Sequence, residues 1–151
     1  MEIVEEVFEK VDFFCRGKLI ELIKSLPQEE YDTILDARDE DEFSEKWMEV
    51  YADIKKMLKN RTVDSGYTQK IESLRERTFK AIVEQSGSSD LAAYLSDDLA
   101  LLVEAVLCQY TSSWLNGVWK EYSVGKIPHG KISLVDGRLD KMIALYEVKS
   151  Y

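Results

Sequence analysis

Hydrophobic positions recur at steps of three and four along most of the chain, the spacing of amphipathic helices. In residues 2–24 Val4, Val7, Phe8, Val11, Phe14, Cys15, Leu19, Leu22 and Ile23 keep it, with Gly17 placed to bend the helix. "SLPQ" at 25–28 reads as a new start. Ser25 and Gln28 have capping-box spacing, and Pro27 suits a first turn, where no backbone donor is needed. Tyr31, Ile34 and Leu35 mark the inner face of the short helix that follows.

The clearest pattern lies at 40–59, where Phe43, Trp47, Val50, Tyr51, Ile54, Met57 and Leu58 fall within an arc of about 120° at ~100° per residue. "NRTVDSGYT", 60–68, contains the turn residues of a loop, and a helix over 68–85 follows with Ile71, Leu74, Phe79, Ile82 and Val83 inward. Gly87 suits a left-handed cap, and Ser88 or Ser89 the next N-cap. Residues 90–110, including "LSDDLALLVEAVLCQY", predict a nearly buried central helix that restarts or kinks at Ser96.

A helix over 112–124 ends at Gly125 and Pro128. With Trp114 set at zero, Leu115, Val118, Trp119 and Tyr122 all fall within the next ~140°. One clean stripe of this kind belongs to a core. The competing reading is an exposed groove built on Trp114, Trp119 and Tyr122, with His129 in "GKIPHG" on its rim. In the tail, 131–149, "VDGR" is compatible with a hairpin, but Leu139, Met142, Ile143 and Tyr146 keep helical spacing and favour a last helix over 137–148. The expectation is one all-α domain over 1–151, a bundle of about six or seven helices with an acidic part at 1–50 and an aromatic-rich part at 112–151.

Composition supports this picture. A chain of 151 residues with 45% hydrophobic side chains can bury roughly 70% of its unfolded surface without help from disulfides or metals. Seven Gly and two Pro leave little material for long loops. Cys15 and Cys108 belong to no Cys-x-x-Cys pair, so two free thiols in a reducing cytoplasm are expected. The N-terminal "MEIVEEVFEK" is acidic where a signal peptide is basic, and "LALLV" at 99–103 is far shorter than the ~20 apolar residues of a membrane span.

Charge changes the picture more. Residues 1–50 hold sixteen Asp and Glu against six Lys and Arg, whereas the rest of the chain holds thirteen against fourteen. The whole excess of the net charge of −9 therefore sits in the first third. Its densest part is "DARDEDEFSE", with Asp36, Asp39, Glu40, Asp41, Glu42 and Glu45 against Arg38. Such a surface repels nucleic acid and anionic lipid and attracts basic proteins. Carboxylates also stabilise a helix's first turn by ~0.3–1 kcal/mol each, which explains part of the run without a partner. Basic residues gather at 55–80, where pairing with the acidic helices accounts for them as well as a nucleic-acid stripe does.

Candidate chemistry is sparse. One histidine, His129, cannot form an ordinary zinc site alone, no Gly-x-Ser-x-Gly elbow is present, and no phosphate-cradling or cofactor motif occurs. An all-α Mg²⁺-dependent nucleotide pyrophosphohydrolase is the alternative, with Glu45, Glu49, Asp97 and Asp98 as ligands. Its Glu-x-x-Glu then Glu-x-x-Asp pattern is not met, because Glu42 and Glu45 are followed by Glu49-x-x-x-Asp53. The leading expectation is a non-catalytic protein that inhibits or adapts a basic protein partner through the acidic stretch. A homo-oligomer that buries exposed aromatics is a third reading. Small acidic helical proteins include immunity proteins against basic nuclease toxins, a likeness of charge carried by no motif in this chain.

Overall fold

The computed structural model describes residues 2–61 and 65–147, and among them the secondary structure is entirely helical. The helices are α1 (Glu2–Arg16), α2 (Lys18–Ser25), α3 (Gln28–Asp39), α4 (Asp41–Lys59), α5 (Ser65–Ser86), α6 (Ser89–Leu107), α7 (Ser113–Ser123) and α8 (Leu139–Ala144). This is the expected all-α bundle, with the first predicted helix divided at Gly17.

Helix α6 is the axis of the bundle. Its side chains from Leu99 to Val106 are all buried, so it is apolar nearly all round, as a helix enclosed by others must be. Helix α5 runs along it in the most extensive helix pair, and α1, α3 and α4 pack on it as well. The helix is unbroken at Ser96, whose hydroxyl donates to the Ala93 carbonyl 3.2 Å away within the helix, so the expected restart is not there. Gly87 is left-handed at φ 70°, and the Ser88 hydroxyl accepts the Leu91 amide, so the α5–α6 junction forms as its sequence predicts.

Elsewhere the boundaries depart from expectation. Ser25 forms no capping box: its hydroxyl donates back to the Leu22 carbonyl, and Pro27 caps α3 without a side-chain bond. Helix α5 starts at Ser65, three residues early, because Ser65, Gly66 and Thr68 are exposed and leave Tyr67, half-buried against the core, as the one apolar mark of its first turn. Tyr51, expected inward, is exposed and stacks on Trp47 with ring centroids 5.2 Å apart.

No hairpin forms over the described part of 131–149; residues 131–138 run without regular structure and α8 spans only Leu139–Ala144. Position 148, where the predicted last helix ends, lies outside the described residues. The Val135 amide donates to the Ser113 carbonyl, and buried Asn116 donates to the carbonyls of Val135 and Gly137, 2.9 Å each. Helix α7 thus holds this segment along its side and seats α8 against α1.

Candidate functional site

The acidic stretch covers the end of α3 and the start of α4. Glu40, extended at φ −73° and ψ 151°, separates the two helices, and Asp41 and Glu42 occupy the first turn of α4, where the helix dipole favours carboxylates. Asp36, Asp39, Glu40, Asp41, Glu42 and Glu45 are all exposed, so their charge faces solvent.

Arg38, the one cation in that stretch, behaves oppositely. It is only 5% exposed, and its two terminal nitrogens grip Asp98 of α6 at 2.8 and 2.7 Å, while Nη1 also donates to the Pro128 carbonyl at 3.0 Å. Asp98, 1% exposed, accepts two further bonds, from Trp47 Nε1 at 2.8 Å and from the Tyr122 hydroxyl at 2.6 Å. The guanidinium lies over the rings of Phe43 and Tyr94, 4.5 and 5.3 Å from their centroids. Burial alone pulls the Arg38 pKa down, but the charge and hydrogen bonds of Asp98, joined by Tyr122, more than reverse it. Burial and the Asp98 charge push the Tyr122 phenol well above its ordinary range, so it stays protonated and donates. Four helices, α3, α4, α6 and α7, are joined through this one carboxylate.

The network fixes a groove at the surface. Arg38, Asp39, Phe43, Trp47, Tyr94 and Asp97 line a cavity of about 200 Å³ together with Ser44 and Met48. Met48 is 56% exposed and lies next to the Trp47–Tyr51 stack, so an apolar and aromatic ridge projects from an acidic surround. Aromatic residues and Met framed by polar groups are the composition of protein-interface centres. On the rim, the Tyr94 hydroxyl donates to Asp39 at 2.5 Å, and that bond raises the phenol pKa. Half-buried Asp97 is also raised, first by desolvation, against the opposing charge of Arg75 3.6 Å away.

The other sequence candidates do not assemble. Trp114 and Trp119 are 6% and 2% exposed and Tyr122 is buried, because their stripe packs against Phe14 and Phe43. The groove built on Trp114, Trp119 and Tyr122 is therefore core. His129 is exposed, apart from them, and donates Nδ1–H to the Ile127 carbonyl 2.7 Å away.

The Mg²⁺ set does not converge either. Asp98 is consumed by its three donors, Asp97 faces Arg75, and Glu49 lies 3.8 Å from Lys46 on an exposed face shared with Glu45. Glu104 pairs with Lys55 at 2.7 Å and Arg75 at 3.7 Å, and Asp53 accepts from Tyr110. Among the described residues no three His, Cys, Asp or Glu side chains stand where they could hold a metal ion. The basic 55–80 stretch is partly spent on these bonds, with Arg77 reaching Asp12 of α1 at 2.9 Å. Among the described residues no helix is long and apolar enough to cross a membrane.

Sequence reasoning found the exposed carboxylates but missed Arg38, Trp47, Met48 and Tyr94. The only available signal was a lone arginine within an acidic run, four residues from Glu42 and nine from Trp47. Residues 15–129 match the model of a family described as Immunity protein PIM1, a span that contains every member of the Arg38–Asp98 network and the whole groove. No curated protein matches the chain.

Proposed function

The chain belongs to the PIM1 immunity protein family, and from that premise we propose that it neutralises a protein toxin by binding a basic surface on it, without catalysis of its own. The single observation that carries this reading is the run of six exposed carboxylates across the α3–α4 junction, followed along α4 by exposed Met48 and Tyr51 beside half-buried Trp47. Charge draws a basic partner in and sets register, while the desolvated aromatic centre supplies residence time. The buried Arg38–Asp98 pair contributes rigidity, which spares the face the entropy of ordering on contact. One hydrophobic cluster extends from Val4 to Ile143, which supports action of the whole chain as one domain. The setting we infer is the cytoplasm, supported by Cys15 and Cys108, both unpaired and buried.

The test is a titration. A partner captured from host lysate, once purified, should be basic, and its affinity should fall at least about tenfold between ~0.1 and ~1 M salt, as the Debye length shortens from about 10 to about 3 Å. Affinity that stays level across that range contradicts the reading.

A further inference from the structure

Within the acidic face the cavity beside Arg38 has features of its own. At about 200 Å³ it is below the roughly 300–1,000 Å³ of small-molecule sites and matches one long side chain. Its walls are the rings of Phe43, Trp47 and Tyr94, and its two remaining charged residues are Asp39 and Asp97. Arg38 does not make it an anion site: its charge is paired with Asp98, it also donates to the Pro128 carbonyl, its guanidinium lies over Phe43 and Tyr94, and its unbonded Nε is buried out of solvent reach.

The two carboxylates are poorly served within the fold. Asp39 takes a hydrogen bond from the neutral Tyr94 hydroxyl, and Asp97 has its cation, Arg75, at 3.6 Å. Desolvation holds the Asp97 carboxyl above its ordinary pKa, so it gains from an added positive charge. Aromatic walls with two carboxylates are the surroundings in which a planar guanidinium both stacks and donates.

We propose that this cavity receives an arginine side chain of the partner protein, stacked against Trp47 and Tyr94 and hydrogen-bonded to Asp39 and Asp97. The proposal rests on the reading of the acidic face as a protein-contact surface and names the anchor within it.

The experiment uses ¹⁵N-labelled full-length chain and N-acetyl-arginine amide as probe, with the neutral citrulline analogue beside it. The arginine probe should move the Trp47 indole resonance and the amides of Tyr94 and Asp97 saturably, with a dissociation constant on the order of 10 mM. Citrulline should leave them in place, and Asp39→Asn and Asp97→Asn should each weaken the arginine effect at least about threefold. Both positions reach solvent, so these variants keep the fold, and unchanged amide spectra elsewhere verify it. Equal shifts from citrulline, no saturable shift, or shifts indifferent to both variants overturn the proposal. If the probe fails while partner binding still depends on salt, the cavity loses its role and the acidic face keeps its own. If partner binding ignores salt, the function reading falls whatever the probe does.

Discussion

Asp98→Ala is expected to remove about 3–5 kcal/mol of folding stability, a large share of the ~5–15 kcal/mol of a typical domain. The change strands Arg38, which is 5% exposed and, among the described residues, forms its ion pair with Asp98 alone, and it takes the acceptor from Trp47 Nε1 and the Tyr122 hydroxyl. An orphaned neutral donor costs ~1–3 kcal/mol when water cannot reach it, so buried Tyr122 places the loss toward the upper end of the expected range. Arg38→Met combined with Asp98→Leu removes both charges and should recover the part of the loss that the stranded guanidinium causes, while the Trp47 and Tyr122 donors stay without their acceptor. Urea unfolding of the two proteins measures the difference. A loss under about 1 kcal/mol for Asp98→Ala would mean that the four helices do not depend on this carboxylate.

Gly117→Ala is the second large effect, and its sign opposes the usual rule. Within a helix that change normally stabilises by ~1 kcal/mol. In α7, however, a Cβ at position 117 would lie 2.3 Å from the Ser133 carbonyl oxygen and 2.6 Å from Ile132 Cγ2. The segment would have to lift from α7, straining the Asn116 bonds to Val135 and Gly137 and exposing Ile132. Overpacking of this kind costs ~1–3 kcal/mol, so the midpoint of thermal unfolding should fall. An unchanged or raised midpoint would show that 131–138 does not rest on α7.

These two sites show what the sequence made legible and what it did not. Helical periodicity is a local property, so α4, α6 and α7 are readable from their own residues, and the Trp114–Tyr122 stripe reads correctly as core. Exposure of the carboxylates at 36–45 follows from their positions off the apolar stripes that Ile34 and Phe43 mark. Arg38 is different: its burial depends on Asp98, sixty positions along, and on Pro128, ninety along, and no local pattern encodes those partners. The groove is hidden for the same reason, because Tyr94 reaches it from α6 while Phe43, Trp47 and Met48 come from α4. Gly117 reads as a helix flaw until the segment packed on it is seen. The tail reads rightly as a helix from the spacing of Leu139, Met142 and Ile143, but the helix starts two positions later than that spacing suggests, where Asn116 has bound the carbonyls of Val135 and Gly137.

In the proposed function the α3–α4 face, and not acidity in general, carries the binding. Helices α1 and α2 offer a matched control, since Glu5, Glu6, Glu9 and Glu21 are also exposed. The decisive measurement compares partner affinity for the natural chain, for Asp39→Lys/Glu40→Lys/Asp41→Lys/Glu42→Lys, and for Glu5→Lys/Glu6→Lys/Glu9→Lys/Glu21→Lys, which change net charge equally. The first variant should lose at least about a hundredfold, roughly 2.7 kcal/mol, and the second less than about tenfold, through steering alone. Equal losses in the two variants would contradict that reading, and would reduce the face around Arg38 to one part of a diffuse negative field.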